Sequence, residues 1–207
     1  FDGAFAEAIR VPATNLVRVP DGVTLAAAAV ATDCVTSPYH AITCRGRLTA
    51  GESVAVIGVG GLGAMAVRLA KLLGAGKVVA VDLSQVALER AAKLGADECV
   101  QIAPGEDPSL RIHLLTQGGA DLVLECVGRP ETVSAGVRSL RPGGRIVVVG
   151  VGMQPPAIDL PQAIFCIAEL SVIGSFASHI EDLSEVLRLE AEGKLGIDAS
   201  ISHRLPL

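Results

Sequence analysis

The chain has 207 residues, of which 50% are apolar and 19% charged, and its formal net charge is −5. This composition can bury the core of one domain with part of a second, and it excludes a disordered chain. Aromatic residues make up only 2% and no basic stripe is present, so nucleic acid is not an expected partner.

The chain shows neither a membrane span nor an extracellular disulfide framework. Its longest stretch without a charged residue, Ser53 to Val67, is shorter than the ~20 apolar residues that a spanning helix needs. The five cysteines are odd in number and contain no Cys-x-x-Cys pair. These features predict a cytoplasmic protein with reduced thiols and no membrane partner.

The first part of the chain is less regular than the rest. Residues 1–20 alternate weakly, which predicts a strand at Phe5–Pro12 followed by a connector. A buried helix is predicted for Leu25–Gly46, with Thr24 as its N-cap and an interruption near Pro38. Because the chain starts in the middle of this strand pattern, we expect a piece of a longer protein.

From Glu52 onward, short apolar strands alternate with amphipathic helices. This alternation indicates a parallel sheet covered on both faces. Six strands with these crossovers predict a doubly wound α/β fold of the Rossmann type. The predicted strands are Ser53–Ile57, Lys77–Val81, Glu98–Gln101, Leu122–Glu125, Arg145–Val149 and Leu170–Gly174. The predicted helices are Leu62–Leu73, Gln85–Leu94, Ser109–Gln117, Pro130–Leu140, Pro161–Ala168 and His179–Ala191.

A G-x-G-x-x-G motif follows the first of these strands and opens the next helix. Its first glycine permits a tight turn, the second lets a diphosphate approach the backbone, and the third lets the helix pack closely. The N–H groups and positive end of the helix then hold the diphosphate. The predicted contacts are Gly58, Gly60, Gly61, Leu62 and Gly63. A purely structural turn is the alternative.

An acidic residue stands where such a motif needs one. Asp82 lies 19 residues beyond Gly63, at the end of the second predicted strand, where a carboxylate can accept both ribose hydroxyls. It would repel a 2′-phosphate, and the next three residues include no arginine, so NAD is favoured over NADP. Two alternatives remain: Asp82 as the N-cap of the following helix, and a methionine-derived methyl donor as the ligand.

At this point the sequence resembles the medium-chain dehydrogenase/reductase superfamily, in particular its zinc-dependent alcohol dehydrogenases. The resemblance covers almost the whole chain and is carried by the glycine motif and by the segments Phe5–Glu7, Val19–Gly22, Ala70–Ala75, Lys93–Asp97, Glu125–Gly128 and Leu140–Gly144. It implies the tail of a GroES-like catalytic domain at 1–20, the NAD-binding Rossmann domain with its linking helix at 21–196, and a return toward the catalytic domain at 197–207.

The resemblance also implies an activity and a metal. The intact protein would transfer hydride between a small-molecule alcohol or carbonyl compound and NAD, with a catalytic zinc. The zinc ligand of this segment falls on Asp33, with Cys34 as its rival one residue on. The other ligands and the proton relay would lie in a preceding domain, so we expect this chain alone to bind NAD without turning over substrate.

Nicotinamide contacts and assembly are further implications of the resemblance. The nicotinamide contacts would be Ser37, Val127, Gly128, Val149, Gly150, Val151, Ser175 and Phe176, and the apolar members of this set could instead be core residues. A homodimer or homotetramer would form through the edge strand at Leu170–Gly174. Two alternative functions remain: a zinc-free NADP-dependent enoyl or quinone reductase, and a non-catalytic nucleotide-binding domain.

Histidines offer little further metal signal. The four histidines show no His-x-x-x-His spacing. The resemblance places His40 near the active site, whereas His113 and His179 are expected on solvated helix surfaces.

Overall fold

The computed structural model describes residues 6–156, 158–201 and 203. Six parallel strands form one sheet in the order β3-β2-β1-β4-β5-β6. This is the strand order of a doubly wound Rossmann sheet, so the predicted fold class is confirmed. The strands are β1 Ser53–Ile57, β2 Lys77–Asp82, β3 Glu98–Gln101, β4 Ala120–Glu125, β5 Leu140–Val148 and β6 Ser171–Gly174.

Eight α-helices cover both faces of this sheet. They are α1 Leu25–Val30, α2 Thr36–His40, α3 Gly61–Leu72, α4 Gln85–Leu94, α5 Ser109–Leu115, α6 Pro130–Arg138, α7 Gln162–Ile167 and α8 Ile180–Ala191. The six helices predicted after β1 are all present, with ends that differ by one or two residues. Such differences are expected where terminal turns are held by caps.

The alternation of side chains along the strands creates two separate cores. In β1, Val54 and Val56 pack with α1–α4 and α8, while Ala55 and Ile57 pack with α5 and α6 on the other face. Both sets are buried, which explains why β1 is apolar at successive positions instead of alternating with polar residues.

The segment predicted as one interrupted helix is irregular throughout. One π-helical turn, Ala31–Val35, lies between α1 and α2, and a second, Ala41–Arg45, follows α2. Thr24 is the N-cap as predicted, because its Oγ1 accepts a hydrogen bond from the Ala27 N–H at 3.0 Å. Pro38 lies in the first turn of α2, where its missing N–H is tolerated, so the regular helix is broken before it.

The strand predicted near the start of the chain is wrong for the residues that can be described. Residues 6–20 contain a 3₁₀ turn at Ala13–Asn15 and no strand. Residues 6–16 are exposed and no neighbouring strand pairs with them, and an isolated strand is not stable in water. Phe5, where the predicted strand begins, lies outside the described residues.

Strand β5 also begins earlier than predicted. It includes Leu140, which pairs with Ala120, and a register irregularity separates this pair from Leu122 and Arg145.

None of the helices in the described part of the chain is both long and apolar enough to cross a bilayer.

Candidate functional site

The turn from β1 into α3 has the geometry that its glycines predict. Gly58 has φ +86°, a left-handed conformation that favours glycine, and its N–H donates to the Val81 carbonyl at 2.9 Å. A Cβ at Gly63 would lie 1.9 Å from the Gly58 carbonyl oxygen. Any larger side chain at Gly63 would therefore force the start of α3 away from the turn.

Gly60, Gly61 and Leu62 present the N-terminus of α3 at the mouth of this turn. Gly60 is the N-cap and α3 begins at Gly61. The first N–H groups of a helix have no partner within it and can therefore receive an anion. Apart from its chain neighbours, no atom of the described residues lies within 4 Å of a Cβ built at Gly60, so the space in front of the backbone is open.

Asp82 is tied to this turn by its side chain. Its Oδ2 accepts a hydrogen bond from the Val59 N–H and its Oδ1 accepts one from the Ser84 N–H, both at 2.8 Å. The N-cap of α4 is Ser84, whose Oγ accepts from the Ala87 N–H. Asp82 therefore does not cap α4, and that alternative interpretation of the residue is removed.

Arg90 is a residue of this site that the sequence interpretation missed. Its Nη2 donates to the Val59 carbonyl at 2.9 Å, so Val59 is held at its N–H by Asp82 and at its C=O by Arg90. The three residues after Asp82 contain no arginine, but Arg90, in the second turn of α4, lies next to the glycine turn in the folded chain. No spacing rule in the sequence indicates this contact.

A cleft of about 650 Å³ opens beside the turn. Its lining includes Gly58, Asp82, Arg129 and residues 102 and 104–108, which follow β3. Its volume lies in the range of small-molecule sites. Residues 102–108 were not predicted to contribute; the rule that ligands bind at the carboxyl ends of strands would have found them had it been applied to β3.

The remaining predicted contacts lie beyond the carboxyl ends of the next three strands. Glu125, buried at the end of β4, uses its Oε1 to accept from the N–H groups of Val127 and Gly128, at 2.9 Å each. Its carbonyl accepts from the Val149 and Gly150 N–H groups. The predicted residues at this edge are Val127, Gly128, Val149, Gly150, Val151, Ser175 and Phe176.

Burial differs within this set. Val149 is buried and belongs to the core, in agreement with its alternative interpretation. Phe176 is 85% exposed, and Val151 is also exposed. Val127 is exposed as well, and Gly128, Gly150 and Ser175 are half-buried, so every member of the set except Val149 has surface available for a ligand.

Asp33 and Ser37 lie on neighbouring turns of the irregular helix. The Ser37 hydroxyl donates to Asp33 Oδ1 at 2.8 Å, and Asp33 is exposed while Ser37 is buried. Cys34 points elsewhere: a Cβ built at Gly61 would meet its Sγ at 3.2 Å. Burial and the neighbouring Asp33 raise the pKa of the Cys34 thiol, against the opposing effect of Arg90.

The histidines are more involved in the fold than the sequence indicated. His40 is buried and its Nδ1 lies 2.8 Å from Asp182 Oδ2. His113 Nε2 lies 2.9 Å from the Arg138 carbonyl oxygen, so the expectation of a freely solvated residue is wrong. His179 is exposed but stacks on His40, with ring centroids 4.8 Å apart.

Comparison with known proteins gives a consistent family pattern. The family described as zinc-binding dehydrogenase matches residues 61–192. L-threonine 3-dehydrogenase of Bacillus licheniformis is 33% identical over 208 residues, which cover 100% of this chain and 59% of that protein. The chain thus spans somewhat more than half the length of this relative.

Solved structures show the same likeness. The alcohol dehydrogenase TADH from Thermus sp. ATN1 superposes with a TM-score of 0.81 at 37% identity, covering 89% of this chain and 54% of that one. A putative zinc-binding dehydrogenase from Sinorhizobium meliloti 1021 bound to NADP has a TM-score of 0.78 at 28% identity, covering 89% and 54%. Acetophenone reductase from Geotrichum candidum in complex with NAD has a TM-score of 0.72 at 31% identity, covering 86% and 49%.

Proposed function

Because the chain belongs to the zinc-binding dehydrogenase family, we propose that it is the NAD-binding portion of an oxidoreductase that transfers hydride between an alcohol and NAD. The observation that carries this proposal is the cleft at the Gly58 turn, with the Asp82 carboxylate at its edge. The substrate is a small-molecule alcohol or carbonyl compound, in keeping with the dehydrogenases and the reductase that the chain resembles.

The site would hold the dinucleotide in an extended form. The adenosine occupies the cleft, with its ribose hydroxyls donating to Asp82. The diphosphate lies on the N-terminus of α3, against the N–H groups of Gly60, Gly61, Leu62 and Gly63. The nicotinamide then reaches the loops after β4, β5 and β6, where the exposed Val151 and Phe176 would shield the transferred hydride from water.

Asp33 is the proposed zinc ligand of this chain. Its exposed carboxylate is of a chemistry that zinc accepts, and the Ser37 hydroxyl fixes one oxygen, which leaves the other for the metal. Cys34 is the weaker candidate because its thiol is packed toward Gly61 and its pKa is raised by burial. Zinc, when bound, polarises the substrate oxygen and lowers its pKa. Asp33 alone is not a zinc site, and the remaining ligands belong to the domain proposed to precede residues 1–20.

The domain division proposed from the sequence is kept. Residues 21–196 form the Rossmann domain, residues 1–20 the tail of a GroES-like catalytic domain, and residues 197–207 the return toward it. Helix α8 ends at Ala191, and the 3₁₀ turn at Ile197–Ser200 follows after five residues with Ile197 buried in the core, so the boundary after residue 196 is proposed from the resemblance alone.

Isothermal titration calorimetry with NAD and NADP tests the cofactor assignment. We expect NAD to bind more tightly, because Asp82 repels a 2′-phosphate. Asp82→Asn should lower the NAD affinity by about tenfold or more, since hydrogen bonds to a charged group contribute roughly 1.5–3 kcal/mol. Glu89→Gln, which alters an exposed carboxylate of α4 that does not line the cleft, is the matched control and should bind NAD normally.

The calorimetry also discriminates the alternatives. Tighter binding of NADP would favour the zinc-free enoyl or quinone reductase, and absence of any dinucleotide binding would overturn the assignment.

In the full-length protein, Asp33→Ala should abolish zinc-dependent activity while Cys34→Ala preserves it. An unchanged rate in Asp33→Ala would favour a zinc-free enzyme, and a full-length protein without any dehydrogenase activity would favour the non-catalytic nucleotide-binding domain.

A homodimer or homotetramer is proposed from the edge of the sheet. Strand β6 is the last in the strand order, and the exposed Ile167, Val172 and Phe176 lie on or beside it. Exposed apolar edges favour pairing with another strand. Analytical ultracentrifugation that detects only monomer at micromolar concentration would contradict this.

A cytoplasmic location is proposed because all five cysteines are free.

A further inference from the structure

Three different metal-binding side chains converge at a place that the proposed function does not use. His40 ends α2, Cys44 lies in the π turn that follows, and Asp182 lies in the first turn of α8. The possible ligand atoms of these residues all lie within 4.8 Å of one another. Within the residues that the structure describes, this is the one place where three such side chains gather.

Contacts within the chain itself hold the three side chains of this cluster close together. His40 and Asp182 are 6% and 7% exposed, and His40 Nδ1 lies 2.8 Å from Asp182 Oδ2. The same Oδ2 accepts the His179 N–H at 2.8 Å, which fixes the carboxylate. The Cys44 thiol lies 4.0 Å from the other oxygen, Oδ1. The carboxylate therefore presents one oxygen to the imidazole and one to the thiol.

We propose that His40, Cys44 and Asp182 form a binding site for a divalent transition-metal ion of the zinc class. One nitrogen, one sulfur and one oxygen ligand is a donor set that Zn²⁺ accepts, and the cation's fourth position is left for water or for His179, which stacks on His40. Ligand atoms around a tetrahedral zinc lie about 3.3–3.7 Å apart, from metal–ligand distances of 2.0–2.3 Å.

Movements of about 1 Å or less are enough to reach that geometry. The widest pair of ligand atoms, at most 4.8 Å apart, must approach by about 1 Å, whereas His40 Nδ1 and Asp182 Oδ2, now 2.8 Å apart, must separate by about 0.5 Å. Cys44 is exposed and can rotate, whereas His40 and Asp182 are buried. On binding, the thiol loses its proton to solvent and the sulfur bonds the metal, with no change in oxidation state. The affinity therefore rises with pH.

Binding there would affect the region where the nicotinamide is proposed to lie. Asp182 follows Phe176 by six residues, and α8 packs against α2. A metal that joins Cys44 to Asp182 would fasten the N-terminus of α8 to the segment that carries Ser37 and Asp33. The alternative is a buried His40–Asp182 pair beside an incidental thiol.

Cobalt substitution distinguishes these two cases in the full 207-residue chain under reducing conditions. Titration with Co²⁺ should produce a near-ultraviolet thiolate-to-cobalt absorption band at one equivalent. Cys44→Ser should remove the band, whereas Cys34→Ser, the matched control next to Asp33, should retain it. The proposal holds only for this pattern; absence of the band in the wild type, or any other distribution between the two variants, would overturn it.

A second measurement uses Zn²⁺ itself, in competition with a chromophoric chelator. We expect Cys44→Ser to bind Zn²⁺ at least about tenfold more weakly than the wild type, because a ligand is lost. Glu89→Gln, which alters an exposed carboxylate outside the cluster, should leave the affinity unchanged. Equal affinities for the wild type and Cys44→Ser would overturn the proposal, and this outcome is independent of whether NAD binds.

Discussion

Replacing Gly63 by alanine tests how closely α3 must lie on the turn that precedes it. The added Cβ would stand 1.9 Å from the Gly58 carbonyl oxygen and 2.9 Å from its carbon, and real Cβ atoms essentially never come closer than 3.0 Å to another heavy atom. The obstacle is backbone, and it is anchored, since the Gly58 N–H donates to Val81 and the next N–H to Asp82. The helix must therefore move away by about 1 Å.

The change that Gly63→Ala makes in the free energy of unfolding is the sum of two opposing effects. Overpacking of this kind costs about 1–3 kcal/mol, and an anchored backbone places Gly63→Ala near the upper limit. Alanine in a helix recovers about 1 kcal/mol relative to glycine. The expected net loss is about 2 kcal/mol, and in a chain of this size each kcal/mol lowers Tm by about 2–4 °C. We thus expect Tm to fall by about 4–8 °C.

Thermal unfolding followed by circular dichroism measures this loss, with Gly60→Ala as the control. In the part of the chain that the structure describes, a Cβ at Gly60 meets nothing within 4 Å beyond its chain neighbours, so that variant should keep the wild-type Tm. Its methyl group would occupy the space proposed for the diphosphate, and its affinity for NAD should fall. A Gly63→Ala protein as stable as the wild type would refute the argument from close packing.

Two further predictions concern ionisable groups. Burial alone would raise the pKa of Glu52, but hydrogen bonds from Arg145 and from the Thr49 N–H outweigh it and lower the pKa from 4.5. Its contribution to stability is thus present above pH 4.5 and lost as the pH falls through the lowered value, so Glu52→Gln should be about 1 kcal/mol less stable at pH 7. In urea unfolding this difference should vanish in acid; a difference that persists there would contradict the assignment. Burial and Glu125 raise the pKa of Cys126 to about 12, so iodoacetamide at pH 8 should label the exposed Cys166 and leave Cys126 unlabelled until the protein is unfolded. Equal labelling of the two in the native state, measured by peptide mass spectrometry, would contradict this.

Much of the fold could be predicted because its determinants are local. The Val/Ile runs of β1 and β2 mark strands, and the ends of α3, α4, α5 and α8 are marked by Gly74, Gly95, Gly118 and Gly193. Asp82 could also be found, since its distance from Gly63 is fixed by one helix and one strand. The doubly wound class then followed from the crossover rules for such folds, whereas the order of the strands was not predicted.

The rest depends on contacts between distant parts of the chain. His40 meets Asp182 across 142 positions, and no pattern in the sequence relates them. Arg90 reaches Val59 because α4 packs beside α3, which only the assembled sheet determines. The predicted strand at residues 5–12 failed for the same reason: a strand exists through its partner, and residues 6–12 have none in the described part of the chain.

The double restraint on Val59 has a consequence for how a nucleotide would be received. With its amide held by Asp82 and its carbonyl by Arg90, the turn is fixed by contacts within the chain itself, and little backbone freedom is left to lose on association. The ribose of a bound nucleotide must share the Asp82 carboxylate with the main chain. Any substitution that removes the restraint on Val59 would therefore make the turn more mobile and weaken nucleotide binding at the same time.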